Sequence, residues 1–150
     1  VIIRLGMEIR IGLTLVLISS PLILGDASGL GWTWWDRVAS DGISEWVSRL
    51  LWNGTYPAVP WMFYILLGTL VYDLSDSRTN RERIIAIGLI STAVTFLISE
   101  REGVPWALTE GDAVLTFFPA STSFLVVSGT FALLVHRIME GSESSGGEPW

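Results

Sequence analysis

Two short segments of this 150-residue chain carry residue types that could hold a sugar or an oxyanion. Residues 56–61 read YPAVPW and residues 117–123 read FFPASTS, and an apolar run follows each segment. Proline is tolerated in a first helical turn and serine caps exposed amides there, so both segments predict helix starts. A helix N-terminus offers partial positive charge and free N–H groups to oxyanions and hydroxyls, although every bundle also has ordinary helix starts. The candidate substrate-binding residues are Tyr56, Pro57, Pro60, Trp61, Pro119, Ser121 and Ser123.

Composition excludes several other kinds of chemistry. The chain has no cysteine and a single histidine, which excludes disulfides, thiolate metal sites, a cysteine nucleophile and a two-histidine zinc site. We therefore assign no metal ligands. The net charge is -6 at pH 7, and this acidity argues against nucleic acid as a partner. All 9 basic residues are arginine, and an acidic chain without lysine is typical of a high-salt or GC-rich prokaryote.

The single histidine, His136, could in principle act as a general base or an acyl carrier, because histidine suits both roles in a group transfer. It precedes Arg137 at the end of the last apolar run. We interpret His136 as an interfacial basic residue and leave the catalytic residues unassigned.

The elements that would position these residues are membrane spans. Half of the residues are hydrophobic, 16% are charged and the mean hydropathy is +0.52. Residues 11–24, 58–72, 84–99 and 113–135 form four stretches without a charged residue. A bilayer core takes about 20 apolar residues per helix, and arginine or aspartate at the ends can snorkel to the headgroups. The alternative, buried core helices of a soluble protein, would leave almost no polar surface to face water.

We predict an all-α integral membrane bundle of four transmembrane helices plus one amphipathic surface helix on the outer side. The spans cover about residues 5–24, 57–74, 83–99 and 118–138 of a helical domain at 1–139, and residues 140–150 form a flexible tail. The surface helix covers about residues 41–52, with Asp41 as its N-cap, a Glu45–Arg49 pair and a stop at residues 53–54. Four glycines within the spans could allow close helix contacts: Gly12, Gly68, Gly88 and Gly129.

The distribution of arginine predicts the orientation of the bundle. Arginine is in excess before the first span, in the link at residues 73–83 and at the end of the last span, whereas residues 25–57 and 100–112 are acidic. The positive-inside rule then predicts a multi-pass protein of the cell membrane with cytoplasmic N- and C-termini. Seven tryptophans lie in or beside the predicted outer loops. They could form an aromatic belt at the membrane–water interface, or an aromatic floor that binds a sugar or a lipid headgroup. They are Trp32, Trp34, Trp35, Trp46, Trp52, Trp61 and Trp106.

A family resemblance rests on the two proline segments. Residues 52–61 (WNGTYPAVPW) with residues 66–71 (LLGTLV) resemble the "yPllPW … lLGmllG" helix of heparan-alpha-glucosaminide N-acetyltransferase-like membrane proteins of bacteria and archaea. Residues 117–125 (FFPASTSFL) are similar to the "yPpSpsflll" helix start of that family, and the two motifs come in the family's order. The chain departs from the pattern at Tyr72 and Asp73, where the family commonly has glycine and a basic residue.

The resemblance implies part of a multi-span acyltransferase that transfers acetyl from cytoplasmic acetyl-CoA to an extracytoplasmic amino sugar or glycan. In the family that the chain resembles, an N-terminal half carries the extracytoplasmic histidine associated with acetyl transfer. Because the sequence has no such segment, we expect the chain to be a C-terminal part that is inactive on its own. Its partners would be the lipid bilayer, a glycan, and the missing helices or another membrane subunit. The alternatives are a non-enzymatic membrane scaffold or subunit and, third, a small transporter component, which would normally require buried charges within its spans.

Overall fold

The computed structural model of the chain describes residues 5–74, 77–108 and 113–145. Four of its helices are long and apolar enough to cross a membrane, so the predicted all-α membrane bundle is confirmed. These helices are α1 (Met7–Leu24), α4 (Ala58–Leu74), α5 (Arg78–Glu102) and α6 (Thr122–Ser145). Between them lie a 3-10 turn (Gly25–Ser28), α2 (Trp34–Val38), α3 (Ile43–Ser48), a π-helical turn (Arg49–Asn53), β1 (Ala107–Leu108) and β2 (Leu115–Thr116).

The four long helices pack in a definite order. Helix α1 runs antiparallel to α4, because Arg10 near the start of α1 pairs with Asp73 near the end of α4. Helix α6 runs parallel to α4 and antiparallel to α5, and it also contacts α1. Helices α4 and α6 therefore begin at the same end of the bundle, which we call the proline end.

The opposite end, which we call the ion-pair end, joins the helices through charged side chains. Besides Arg10–Asp73, Arg81 pairs with Glu140 at 3.0 Å and Arg137 pairs with Glu82 at 2.8 Å. Both Arg10 and Arg81 are buried. These pairs tie α1 to α4 and α5 to α6, so they fix the antiparallel neighbours at the depth where the apolar stretches end.

A small core lies near the proline end, and most other apolar side chains face outward. Phe63, Ala120 and Leu125 form the buried cluster, with Leu17 and Trp61 among the side chains packed against it. Large apolar residues stay exposed along α1 and α5. In a bilayer this surface faces hydrocarbon, so its exposure carries no hydrophobic cost.

The four span glycines divide into two classes. A Cβ on Gly88 would collide with the side chain of Thr130, and one on Gly129 would lie 2.7 Å from Phe63 Cζ. These two positions allow α6 to approach α5 and α4 closely, as predicted. A Cβ on Gly12 or Gly68 would meet no atom of the described residues within 4 Å, so the close contact predicted at these two positions does not form within the described bundle.

The surface helix forms at the proline end, but its N-cap differs from the prediction. Gly42 is the N-cap, and Asp41 instead donates its backbone N–H to the Glu45 carboxylate at 2.7 Å. The assignment of Asp41 was wrong because Glu45, four residues on, reaches back to that amide. Glu45 and Arg49 form the predicted pair at 3.6 Å, and the helical segment ends at Asn53 as predicted.

The boundaries of the last helix also differ from the predicted span and tail. Helix α6 begins at Thr122 rather than near residue 118, because residues 117–120 form a turn in which the Ser121 N–H donates to Thr116 O at 2.9 Å. It continues to Ser145, past the predicted start of the tail, and the Arg81–Glu140 pair holds it against α5 at that point. The remainder of the predicted tail, residues 146–150, lies outside the described residues.

Candidate functional site

Two prolines lie at the start of α4, where the missing proline N–H breaks no hydrogen bond of the helix. Pro57 immediately precedes the helix and Pro60 lies in its first turn, where backbone N–H groups have no partner within the helix. Both prolines are buried. Upstream, the Asn53 amide donates to Ala27 O at 3.2 Å and ties this helix start to the turn that follows α1. The backbone thus holds Tyr56 at the surface, 65% exposed.

The start of α6 is fixed by a buried serine. Ser121 accepts a hydrogen bond from the Phe124 N–H at 3.1 Å, which makes it the N-cap, as predicted for Ser121 or Ser123. Its hydroxyl donates to Val114 O at 3.1 Å. Ser121 therefore uses its hydrogen-bonding capacity inside the protein, while Ser123 is half-buried on the first turn. Pro119 is buried and follows a cis peptide bond.

The starts of α4 and α6 meet in a cluster of five rings, which we call the aromatic corner: Tyr56, Trp61, Phe117, Phe118 and Phe124. Ring centroids lie 5.1 Å apart for Tyr56 and Phe118, 5.9 Å for Tyr56 and Trp61, and 5.2 Å for Trp61 and Phe117. Phe124 packs edge-on against Phe117 at 5.2 Å. Most of these pairs are T-shaped, a favoured geometry for aromatic rings. The structure thus brings the two predicted segments together in one place.

Neighbouring rings close the aromatic corner on two sides. Trp34 of α2 meets Phe118 edge-on at 6.2 Å, and Tyr64 stacks on Trp61 at 5.7 Å. The Tyr64 hydroxyl lies 2.6 Å from Ser128 Oγ, and it is the donor, because Ser128 donates to the Phe124 carbonyl oxygen. Tyr64 and Ser128 thus anchor the corner to α6.

Two polar atoms at the start of α4 have no hydrogen-bond partner among the described residues. They are the indole Nε1 of Trp61 and the hydroxyl Oγ1 of Thr55, and both are buried from solvent. Buried polar groups are paired in most proteins, because an unmade hydrogen bond costs about 1–3 kcal/mol. Within the described part of the chain, the start of α4 therefore has one free donor, on the Trp61 ring of the aromatic corner, and one free hydroxyl, on the residue before Tyr56.

The segment before the aromatic corner is held by its own hydrogen bonds. Thr33 caps α2, and its hydroxyl and N–H donate to the Asp36 carboxylate at 2.7 and 3.0 Å. These two bonds hold the pKa of the Asp36 carboxyl below its usual value of 3.8. Arg49 lies over the Trp32 ring at 4.5 Å and joins Glu45 on the wall of an open polar cleft of about 500 Å³.

His136 lies away from the aromatic corner, toward the ion-pair end. It follows Phe124 by twelve residues along α6, a distance of about 18 Å at 1.5 Å per residue. Its Nδ1 is 3.7 Å from Glu140 Oε1, and the side chain is half-exposed. Among the described residues, no group of three or more acidic or histidine side chains is arranged to hold a metal ion.

Sequence reasoning found the two segments but missed several contacting residues. Phe117, Phe118 and Phe124 are not among the predicted site residues, although they flank Pro119 and Ser121 in the same segment. Thr55 was also missed, and Trp34 was named only among the seven tryptophans of the predicted belt or sugar floor. The signal available was the run of aromatic residues beside each proline, which is equally typical of an interfacial belt. All seven tryptophans of that predicted belt do lie at or near the proline end.

Comparison of the chain with family models, curated proteins and solved structures gives no match.

Proposed function

We propose that the chain is part of an integral membrane acyltransferase-like protein, and that its aromatic corner receives the acceptor, an amino sugar or a glycan. The two segments on which the family resemblance rests lead into α4 and α6. In this proposal the protein lies in the cell membrane with the proline end outside and both termini in the cytoplasm, as the arginine distribution favours.

The observation that carries the proposal is an aromatic corner with one exposed ring, Tyr56, beside polar atoms that lack a partner among the described residues. Sugar rings present C–H faces that pack on indole and phenol rings, and Tyr56 is the most exposed of the five rings. Both atoms are buried, so the surrounding side chains must shift before the Trp61 N–H can donate to a sugar oxygen and the Thr55 hydroxyl can exchange a hydrogen bond with a sugar hydroxyl. A bound glycan would thus supply the partners of these two atoms.

The acyl transfer itself needs groups that the corner does not offer. In transfer to an amine, the amine nitrogen attacks the carbonyl carbon of the acetyl donor, the bond from that carbon to the leaving group breaks with its electron pair on the leaving group, and a base removes the proton from nitrogen. The only histidine is His136, near the other end of α6. The proposal therefore assigns acceptor binding to this chain and assigns acetyl-CoA binding and the base to further helices or another subunit.

Glycan binding tests the proposal. The purified chain in detergent should bind a glucosamine disaccharide in a calorimetric titration, and Trp61→Ala should weaken binding about tenfold, the effect of losing about 1.4 kcal/mol of contact. Trp35→Ala is the matched control, because Trp35 is 76% exposed and lies outside the corner. Equal affinity for both variants would contradict the assignment of the corner.

A second candidate is a non-enzymatic membrane subunit, which the position of the single histidine, far from the proline end, favours. The calorimetric titration with the glucosamine disaccharide distinguishes the two candidates. The acceptor-binding chain should bind the disaccharide, and a non-enzymatic subunit should not. Labelled acetyl-CoA with the disaccharide should give no turnover above the rate without protein under either candidate. Turnover by the chain alone would overturn the division of roles and direct attention to His136.

A further inference from the structure

The half of α4 nearest the ion-pair end has a cleft on each side. One cleft, of about 390 Å³, lies between α4 and α6, and the other, of about 270 Å³, lies between α1 and α4. Gly68 and Tyr72 line both clefts, so the two are separated only by this strip of α4. A Cβ on Gly68 would meet no described atom within 4 Å, so the small residue leaves open room beside the helix.

Each cleft is apolar along its length and polar at one end. The α4/α6 cleft is lined by Leu67, Val71 and Leu133 and reaches His136 at the ion-pair end. The α1/α4 cleft is lined by Ile65 and reaches Arg10 and Asp73 at the same end. The Tyr64 hydroxyl, the polar atom deeper in the first cleft, is already bonded to Ser128. The lining of each cleft is thus apolar where the hydrocarbon chain of a membrane lipid would lie and charged where its headgroup would lie.

Arg10 gives a second, independent indication of an anionic ligand. It is 4% exposed, its Nη1 donates to Thr69 O at 3.2 Å, and its Nη2 pairs with Asp73. Its Nε is buried without a hydrogen-bond partner in the described part of the chain. Arg10 lines the polar end of the α1/α4 cleft, so a shift of its side chain would bring this unpaired N–H to a phosphate oxygen in the cleft, where charge-assisted hydrogen bonds are strong.

We propose that the two clefts bind one two-chain membrane phospholipid, with a hydrocarbon chain on each side of Gly68 and Tyr72 and the phosphate beside Arg10 and His136. The two clefts run side by side along α4, separated by Gly68 and Tyr72, so each can hold one of the two hydrocarbon chains that are joined at a single headgroup. The larger cleft, of about 390 Å³, falls in the range of about 300–1,000 Å³ that is usual for ligand sites, and the smaller, of about 270 Å³, lies just below it, so the hydrocarbon chains would extend beyond the clefts into the bilayer. The phosphate end of this site lies at the opposite end of the bundle from the proposed acceptor site, and the deep end of the α4/α6 cleft stops at Tyr64, which stacks on Trp61.

Native mass spectrometry of the purified chain in nonionic detergent tests this site with dioleoyl phosphatidylglycerol as the probe. We expect one retained lipid per chain. Gly68→Leu fills both clefts and should weaken binding at least about tenfold, the factor supplied by burial of about two methylene groups. Gly12→Leu is the matched control, because Gly12 also borders open space within the described bundle but lines neither cleft.

Three further probes keep the proposal testable if Gly68→Leu fails to fold, as circular dichroism would reveal. A one-chain lysolipid and a diacylglycerol without phosphate should both bind more weakly than the phospholipid. Ala132→Phe, which fills only the α4/α6 cleft, should weaken binding of the two-chain lipid and leave that of the lysolipid intact. Equal binding of all three lipids, or equal losses in Gly68→Leu and Gly12→Leu, would overturn the proposal.

Discussion

Arg37 shows at the residue scale how the segment before the aromatic corner is held. Its side chain is 2% exposed, and Nη2 donates to the carbonyl oxygens of Gly29 and Trp32, with Leu30 O at 3.4 Å as a weaker shared acceptor. The planar guanidinium can serve several acceptors at once, which a lysine ammonium does less rigidly. This role was not predictable, because the three carbonyls converge only after Gly29 adopts a φ of 70° against the Trp32 ring.

Removal of this guanidinium should destabilise the protein. We expect Arg37→Ala to lower the free energy of unfolding by about 2–4 kcal/mol, because buried carbonyls lose their donor. Denaturant titration in detergent micelles, followed by circular dichroism, measures this. Arg101→Ala is the control, since Arg101 is largely exposed and its pair with Glu102 is long at 3.8 Å. A loss no larger than that of the control would show that Arg37 is dispensable to the fold.

At the element scale, the sequence predicted the long helices well and their contacts less well. Apolar stretches without charge located α1, α4, α5 and α6, because a bilayer demands about 20 apolar residues per span. Local capping was predicted at Ser121 and mispredicted at Asp41, where a competing side chain changed the outcome. Which glycine faces a neighbour depends on helix rotation, so Gly88 and Gly68 looked alike in the sequence and differ in the structure.

The contact between α5 and α6 should be sensitive to volume at Gly88. Gly88→Val places methyl groups where the Thr130 side chain lies, and we expect a loss of about 1–3 kcal/mol from overpacking. The unfolding titration above measures it, with Gly12→Val as the control at an open position of the described bundle. Thr130→Ala in the Gly88→Val background should restore part of the loss. No difference between the two glycine variants would contradict the close approach.

At the scale of the whole molecule, the meeting of two proline segments follows from topology. Both segments precede helices that start at the same end, so the order of the spans alone predicts a shared end, whereas the contact between α4 and α6 follows from their packing. The ring contacts and the state of the Trp61 N–H could not, since they depend on how α4 and α6 rotate about their axes. The fold and the place of the candidate site were thus accessible from sequence, whereas its chemistry required coordinates.

The proposed orientation can be tested with single cysteines, because the chain has none of its own. Ser40→Cys, in the loop at the proline end, should react with a membrane-impermeant maleimide in intact cells. Thr79→Cys, an exposed position near the ion-pair end, should react only after the cells are permeabilised. The reverse pattern would place the proline end in the cytoplasm and exclude an extracytoplasmic acceptor there.

The most direct test of the acceptor site is the indole N–H signal of Trp61 in protein labelled with ¹⁵N at tryptophan. Trp61→Phe assigns the signal, and a glucosamine disaccharide is then added. Because Nε1 has no partner among the described residues, binding of a sugar oxygen should shift this signal, while that of Trp35 stays in place. A Trp61 signal that does not move at saturating disaccharide, or that moves no more than that of Trp35, would contradict the account.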